Sequence, residues 1–295
     1  MRLHIRHETI YRYDRQVKHS VQCLRLTPRT EAGQKVLSWE LQAPGRRSEQ
    51  VDAHGNLVHL LTLDTPHEEI RISAIGVVDT EVVEDSSPSA RAGLSPLVYA
   101  LETSLTSVDE GLKDFAMGCA VAEMDESQAM RLAGAIRDAM DYVPGATAVS
   151  DTAAHAFGLG RGVCQDHAHV MIACCRLQGV PARYVSGYLL SEHDDHIASH
   201  AWVDVWLANE RRWLAIDVTN RVLGGAQHCR LAVGRDYLDA CPIRGVRRGG
   251  GAESMHAQVR VSADALPRSP TGGRSRLLQQ VQARQATSQQ EQSQQ

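Results

Sequence analysis

The sequence predicts an α+β protein, an N-terminal antiparallel β-sandwich followed by a core of helices and a second antiparallel sheet. Three observations carry this. Apolar and polar residues alternate with period two through much of the first 85 residues, between turn signals. From 95 to 178 apolar residues recur at helical spacing. From 182 to 218 strand-like segments return.

The sandwich is built from short strands. His4 to Tyr13 alternates, and Val21 to Leu26 is apolar-rich before Pro28. Lys35 to Leu41 puts Leu37, Trp39 and Leu41 on one face. Asp52-Ala53-His54-Gly55-Asn56 is a turn, Leu57 to Leu63 follows it, and Ile70, Ile72 and Ala74 continue the alternation. This domain spans 1–85, and Ser86-Ser87-Pro88-Ser89 opens a linker over 86–94.

The core is expected over 95–265. Ser95-Pro96 is a helix start, with Leu97, Leu101 and Leu105 four apart. A second helix runs from Ser127 to Tyr142 with Met130, Ala133, Ile136 and Met140 as its stripe, closed by Pro144-Gly145. Thr152 caps a short helix through Phe157. A helix from Cys164 to Gln178 places Ala168, Met171, Ile172 and Cys175 on one face. Strands follow at 182–190, 201–207 and 213–218, with a last one near His256 to Val261. The tail, 266–295, is dominated by Gln with Ser and Thr and is predicted to be disordered.

Bulk composition excludes several classes. A net charge of −4 with no clustered basic face argues against a nucleic-acid partner. Arg244, Arg247 and Arg248 read as a solvated loop. No apolar run reaches membrane-spanning length, and Met1 leads straight into alternating residues rather than an apolar leader. Seven scattered cysteines predict no disulfide framework, and the cytoplasm is the expected compartment.

Chemistry is signalled around Cys164. Gly158-Leu159-Gly160-Arg161-Gly162 precedes it, and it opens a helix. A helix N-terminus lowers a thiol pKa, and its free N–H groups can hold an oxyanion. The other six cysteines read as structural. A thiol nucleophile needs a base and the base an orienter. His200 starts one strand and Asp217 ends the next; a hairpin would make them neighbours. A helix-borne Cys with His and Asp on adjacent strands is the papain-like arrangement.

At these residues the chain resembles a known family. Gly162-Val163-Cys164-Gln165-Asp166, Ser199-His200-Ala201-Trp202-Val203 and Asp217-Val218-Thr219-Asn220 are similar to the three core motifs of bacterial transglutaminase-like proteins. So are the segments 179–188 and 233–237, and the opening β region resembles their N-terminal domain. The resemblance spans residues 1 to 263. It implies a papain-like core with a Cys-His-Asp triad at Cys164, His200 and Asp217. His167 stands where the family often has an aromatic residue, and Val218 where it often has proline.

Gln165, Trp202 and Asn220 are candidates for substrate or oxyanion contacts, with plainer roles open to each. Asn220 could hold Asp217 or cap the next turn, and the structural role is the expectation. The expected function is thiol-dependent amide-bond chemistry through a thioester: a cysteine protease or amidase if water completes it, a transglutaminase if an amine does. Excluding water needs an amine tunnel that the sequence does not display, which favours hydrolysis. A non-catalytic interaction module on the same fold is the second reading. A metalloenzyme using His193-Asp194-Asp195-His196 is the third; His167 and His169 lie two apart on a helix and point to different faces. No cofactor and no metal are expected. The partner is a peptide or protein substrate, and the oligomeric state is open, a homodimer included.

Overall fold

The computed structural model describes residues 1–82, 94–191 and 199–263, with a short strand at Val281–Gln282. The linker at 86–94, save its last residue, the loop His193–His196 and the rest of the tail lie outside the described residues. The fold is α+β, mostly strands.

Five strands open the chain: β1 (Arg2–Leu24), β2 (Gln34–Gln42), β3 (Arg46–Val51), β4 (Leu57–Leu63) and β5 (His67–Thr80). In β1 the alternation works as read, with Leu3 and Ile5 buried between exposed Arg2, His4 and Arg6. Residues 2–12 of β1 pair with β5. Past a register shift between Arg12 and Val17, residues 20–24 pair with β4. β1 therefore serves two arms of one continuous antiparallel sheet. Tyr11, Ile70 and Ile72 of one arm share a core with Leu24, Leu61 and Leu63 of the other. The expected sandwich is thus one sheet folded on itself, an antiparallel half-barrel. Leu37 does not join Leu41 inside. An irregularity between Val36 and Ser38 makes Leu37 the extra residue and turns it outward, 42% exposed.

The segment read as a helix from Ser95 is instead two short 3-10 turns, Pro96–Ala100 and Ser104–Thr106. Leu97 and Leu101 are exposed, whereas Tyr99 is buried. Tertiary contacts outweigh local spacing here. Tyr99 meets Trp213 edge-on at 5.5 Å, its hydroxyl bonds His54 Nδ1 at 2.9 Å, and its carbonyl accepts from Arg176 Nε at 2.9 Å.

Then come α1 (Glu110–Gly118), α2 (Glu126–Ala139), β6 (Asp141–Tyr142), α3 (Ala153–Leu159), β7 (Arg161–Gly162) and α4 (Cys164–Leu177). Side chains cap the first three helices: Asp109, Asp125 and Thr152 accept from Leu112, Gln128 and His155 N–H groups. α2 ends earlier than expected because Asp141–Tyr142 pairs in parallel with Arg161–Gly162. α4 is buried on all sides from Gln165 to Arg176. Gly179, at φ +73°, closes it.

The second sheet holds β8 (Ala182–Leu189), β9 (Ser199–Leu207), β10 (Arg212–Asp217), β11 (Val222–Leu223) and β12 (His228–Gly234), in the order β11-β10-β9-β8-β12. α4 packs on the face bearing Ala201, Val203, Val205, Leu214 and Ile216. A short helix, α5 (Tyr237–Ala240), follows.

The chain then returns to the first sheet. β13 (Ile243–Gly249) and β14 (Glu253–Ala263) both pair antiparallel with β1, Leu3 opposite Ala263, and β15 (Val281–Gln282) pairs with β14. The final strand assigned to the core over 95–265 therefore belongs to the N-terminal sheet, where it satisfies the second edge of β1. The presumed loop arginines lie on β13. Arg247 pairs with Glu253 at 3.2 Å and lies over the Tyr13 ring at 5.0 Å.

The two sheets meet along β12. Gln34 donates to Arg230 O (3.0 Å) and accepts from Arg230 N–H (2.7 Å); Asn56 does the same at Val233 (2.7 and 2.8 Å). Two amide side chains thus close the outer edge of the second sheet. Leu3, Ile5, Val78, Tyr188, Cys229 and Leu231 form an apolar seam beside them. Across the second sheet, fully buried Asp204 accepts from Arg183 at 2.8 Å and Arg230 at 3.0 Å. Among the described residues no helix is long and apolar enough to cross a membrane.

Candidate active site

Cys164 begins α4 and is half-buried. The residue before it, Val163, has no side chain able to cap the helix. The first-turn N–H groups at Cys164 and Gln165 therefore lack the usual capping partner and are suited to hold an anion. Asp166 secures the turn from below. Its Oδ2 accepts from Val163 N–H at 2.7 Å and Thr147 Oγ1 at 2.6 Å. This explains Gly162: a Cβ there would sit 2.6 Å from that same oxygen.

His200 opens β9 opposite Gly187 of β8, and Asp217 ends β10. The β9–β10 hairpin brings them together, with His200 Nε2–H donating to Asp217 Oδ2 at 2.8 Å. Nδ1 is left for the thiol, and the Cys164 sulfur interacts with the His200 ring, favouring its charged form. Burial works against a charged imidazole, but the bonds to Asp217 and Cys164 outweigh it and raise the His200 pKa to about 10. Burial likewise opposes an ionised Asp217. The donors around it, His200 first, prevail and hold it below the usual carboxylate range.

The described chain matches known proteins over both sheets. Residues 3–79 match the bacterial transglutaminase-like N-terminal region, and residues 113–218 match the transglutaminase-like superfamily. An uncharacterized protein of Mycobacterium leprae is 32% identical over 279 residues, covering 88% of this chain and 98% of that one. The chain belongs to the transglutaminase-like superfamily. A protein-glutamine gamma-glutamyltransferase of Pseudomonas aeruginosa is 30% identical over 120 residues, 36% of this chain and 18% of that protein. The crystal structure of a candidate cysteine protease from Cytophaga hutchinsonii has the same fold: TM-score 0.74, 20% identity, 93% and 94% of the two chains covered.

The remaining candidates of this transglutaminase-like core fall into place around the trio. Gln165 turns its amide inward, donating to Val149 O at 3.1 Å, so its side chain supports the preceding loop. Asn220 holds Asp217 twice, through Nδ2 to Oδ2 (2.7 Å) and through N–H to Oδ1 (3.1 Å). Trp202 is buried beside His200, rings 6.4 Å apart and 28° from parallel, and its Nε1 has no partner among the described residues. A Cβ on Gly187 would overlap its indole at 2.4 Å.

His167 bonds Thr219 Oγ1 at 3.0 Å, while His169 accepts from Tyr237 N–H at 3.1 Å. They engage different elements, and burial pushes them down to about 4 and about 3. Val218 is buried. Tyr142, half-buried near the thiol, is pushed up to about 12 by burial and by Cys164.

One member escaped the sequence reading. His228 Nε2 lies 3.1 Å from Asp217 Oδ2. The only signal was a histidine opening an apolar-rich run after Gly224-Gly225. His200, Asp217 and His228 cluster tightly enough to suggest a metal site. The ring chemistry does not fit one. Gly225 N–H donates to His228 Nδ1 at 3.2 Å, so the proton sits on Nε2 and no lone pair there faces a cation.

Proposed function

We propose that this chain is a thiol-dependent amide-bond enzyme working through a thioester acyl-enzyme, as a cysteine protease or amidase. The observation that carries the reading is the run of interacting groups from Cys164 through His200 to Asp217, begun at the N-terminus of α4, where the residue before Cys164 has no capping side chain.

In this reading the Cys164 sulfur attacks the carbonyl carbon of a peptide or protein amide, and its proton resides on His200 Nδ1. The carbonyl oxygen becomes an oxyanion beside the first-turn N–H groups of α4. Collapse breaks the C–N bond as His200 delivers the proton to the leaving amine. Asp217 holds the imidazole by Nε2 throughout. Water, deprotonated by His200, then attacks the thioester and releases the acid. The chemistry needs only the chain's own groups.

An amine in place of water would make the chain a protein-glutamine acyltransferase. The likeness to the Pseudomonas aeruginosa gamma-glutamyltransferase favours this second reading. One experiment separates them. The protein and its Cys164→Ala variant are incubated with a glutamine-containing peptide library, with and without a primary amine, and the products are weighed by mass spectrometry. Shortened or deamidated peptides made only by the unmodified protein support hydrolysis. Amine-bearing peptides support transfer. Identical spectra from the protein and Cys164→Ala overturn both.

A further inference from the structure

The reaction above makes no use of His228, yet every polar atom of this side chain is committed. It opens β12 and is buried, its side chain 6% exposed. Nδ1 accepts from Gly225 N–H, which leaves the proton on Nε2 to be given to Asp217 Oδ2. Its ring meets Trp202 edge-on at 5.1 Å and lies 6.3 Å from the His200 ring. Oδ2 of Asp217 thus receives three donors, from His200, His228 and Asn220.

The loop from β11 to β12 is shaped to deliver this ring. Gly224 N–H donates to Ala215 O at 2.8 Å, and a Cβ on Gly224 would sit 2.6 Å from the Ala215 Cβ. Only glycine allows so close a passage across β10. His228 N–H donates to Gly225 O at 2.9 Å. From the first sheet, Thr80 at the end of β5 donates its hydroxyl to Ala226 O.

We propose that His228 is a positioning residue acting through Asp217, keeping that carboxylate ionised and turned to His200, with Thr80 bracing the loop that carries it. The inference rests on the reading of Cys164 as the nucleophile. A carboxylate shut away from water keeps its charge only if protein donors replace the lost hydration. As an Nε2–H donor, His228 supplies one. His200 on β9, His228 on β12 and His167 on α4 interact with this carboxylate, Cys164 on α4 acts on His200, and Arg137 on α2 acts on His167.

The test needs no substrate. The rate at which iodoacetamide alkylates Cys164 is followed against pH by peptide mass spectrometry in the full chain and in His228→Leu, His228→Gln and Thr80→Val. His228→Leu slows alkylation roughly ten- to a hundredfold, the factor carried by one hydrogen bond to a charged group. Its acid limb moves to higher pH, because Asp217 takes up a proton more readily. His228→Gln, whose amide reaches the same oxygen, recovers most of the rate. Thr80→Val falls between.

A wild-type profile in His228→Leu overturns the inference while leaving the nucleophile intact. So does equal slowing in the Leu and Gln variants with the acid limb unmoved, which marks a merely structural residue. Should His228→Leu fail to fold, the other two variants decide: an unchanged profile in Thr80→Val together with a roughly tenfold or greater loss in His228→Gln overturns it. If Cys164 of the unaltered chain reacts no faster than the other cysteines, the nucleophile reading falls first and this one with it.

Discussion

Gly187→Ala tests how rigidly the site is held. The added Cβ would lie 2.3 Å from the Cys229 carbonyl oxygen and 2.4 and 2.7 Å from two carbons of the Trp202 ring. Neither neighbour can yield cheaply. The carbonyl belongs to β12, which is paired with β8 at Cys229 and Arg230 and again, past an irregularity at Leu231, from Ala232 on. The indole is buried among Val185, Val233 and Ala215 and faces His228. Two overlaps of about an ångström against rigid groups put the cost at the upper end of the usual range for overpacking, about 3 kcal/mol. For a chain of 295 residues that lowers Tm by roughly 5 °C. The same push displaces Trp202 against His200, so Cys164 alkylation slows as well. Calorimetry and alkylation kinetics on one preparation check both. A Tm and a rate both equal to those of the unaltered chain would refute the claim that Trp202 is wedged under the histidine.

Four further outcomes are expected. The raised His200 pKa sets the alkaline side: activity falls as pH rises through about 10, when the imidazolium that protonates the leaving amine is lost, and a pH–rate profile checks this. Stability follows the same linkage. The His200 contribution is complete below its ordinary pKa and fades on the way up to about 10, whereas that of Asp217, held down, is complete above the ordinary carboxylate range and lost in acid; denaturant midpoints against pH should show both flanks. Asp204→Asn strands Arg183 and Arg230 around a neutral buried group and should cost about 3–5 kcal/mol in urea unfolding. Asn56→Leu leaves Val233 N–H and C=O unpaired at the buried seam and should cost about 1–3 kcal/mol, read the same way, with little change in Cys164 reactivity.

The sequence spoke clearly where the signal was local. A glycine-rich approach to Cys164, a histidine at a strand start and an aspartate at the next strand end needed only one hairpin to meet. His228 carried no such mark. Its meaning depends on a crossover that takes the chain from β11 across the sheet to the far edge, and nothing near His228 in sequence encodes that path. The pairing of β14 with β1 was hidden for the same reason, since alternation shows that a strand exists but not whom it joins. Leu97 and Leu101 misled because the buried anchor of their segment is Tyr99, held by Arg176 and Trp213 from other elements. Leu37 misled by one residue, the irregularity that turned it outward.

The return of β13 and β14 to the opening strand also sets a timetable for biosynthesis. Leu3 leaves the ribosome well before its partner Ala263, which comes after both the helices and the second sheet. At ~5–20 residues per second the two are made tens of seconds apart. Through that interval one side of β1 has no mate, and the exposed backbone is a target for mispairing or for chaperone capture. A message truncated after Gly249 would still encode Cys164, His200, Asp217 and His228. The product would lack the strand that seals the first half of β1, so cellular quality control could recognise it by an open sheet rather than by a missing catalytic group.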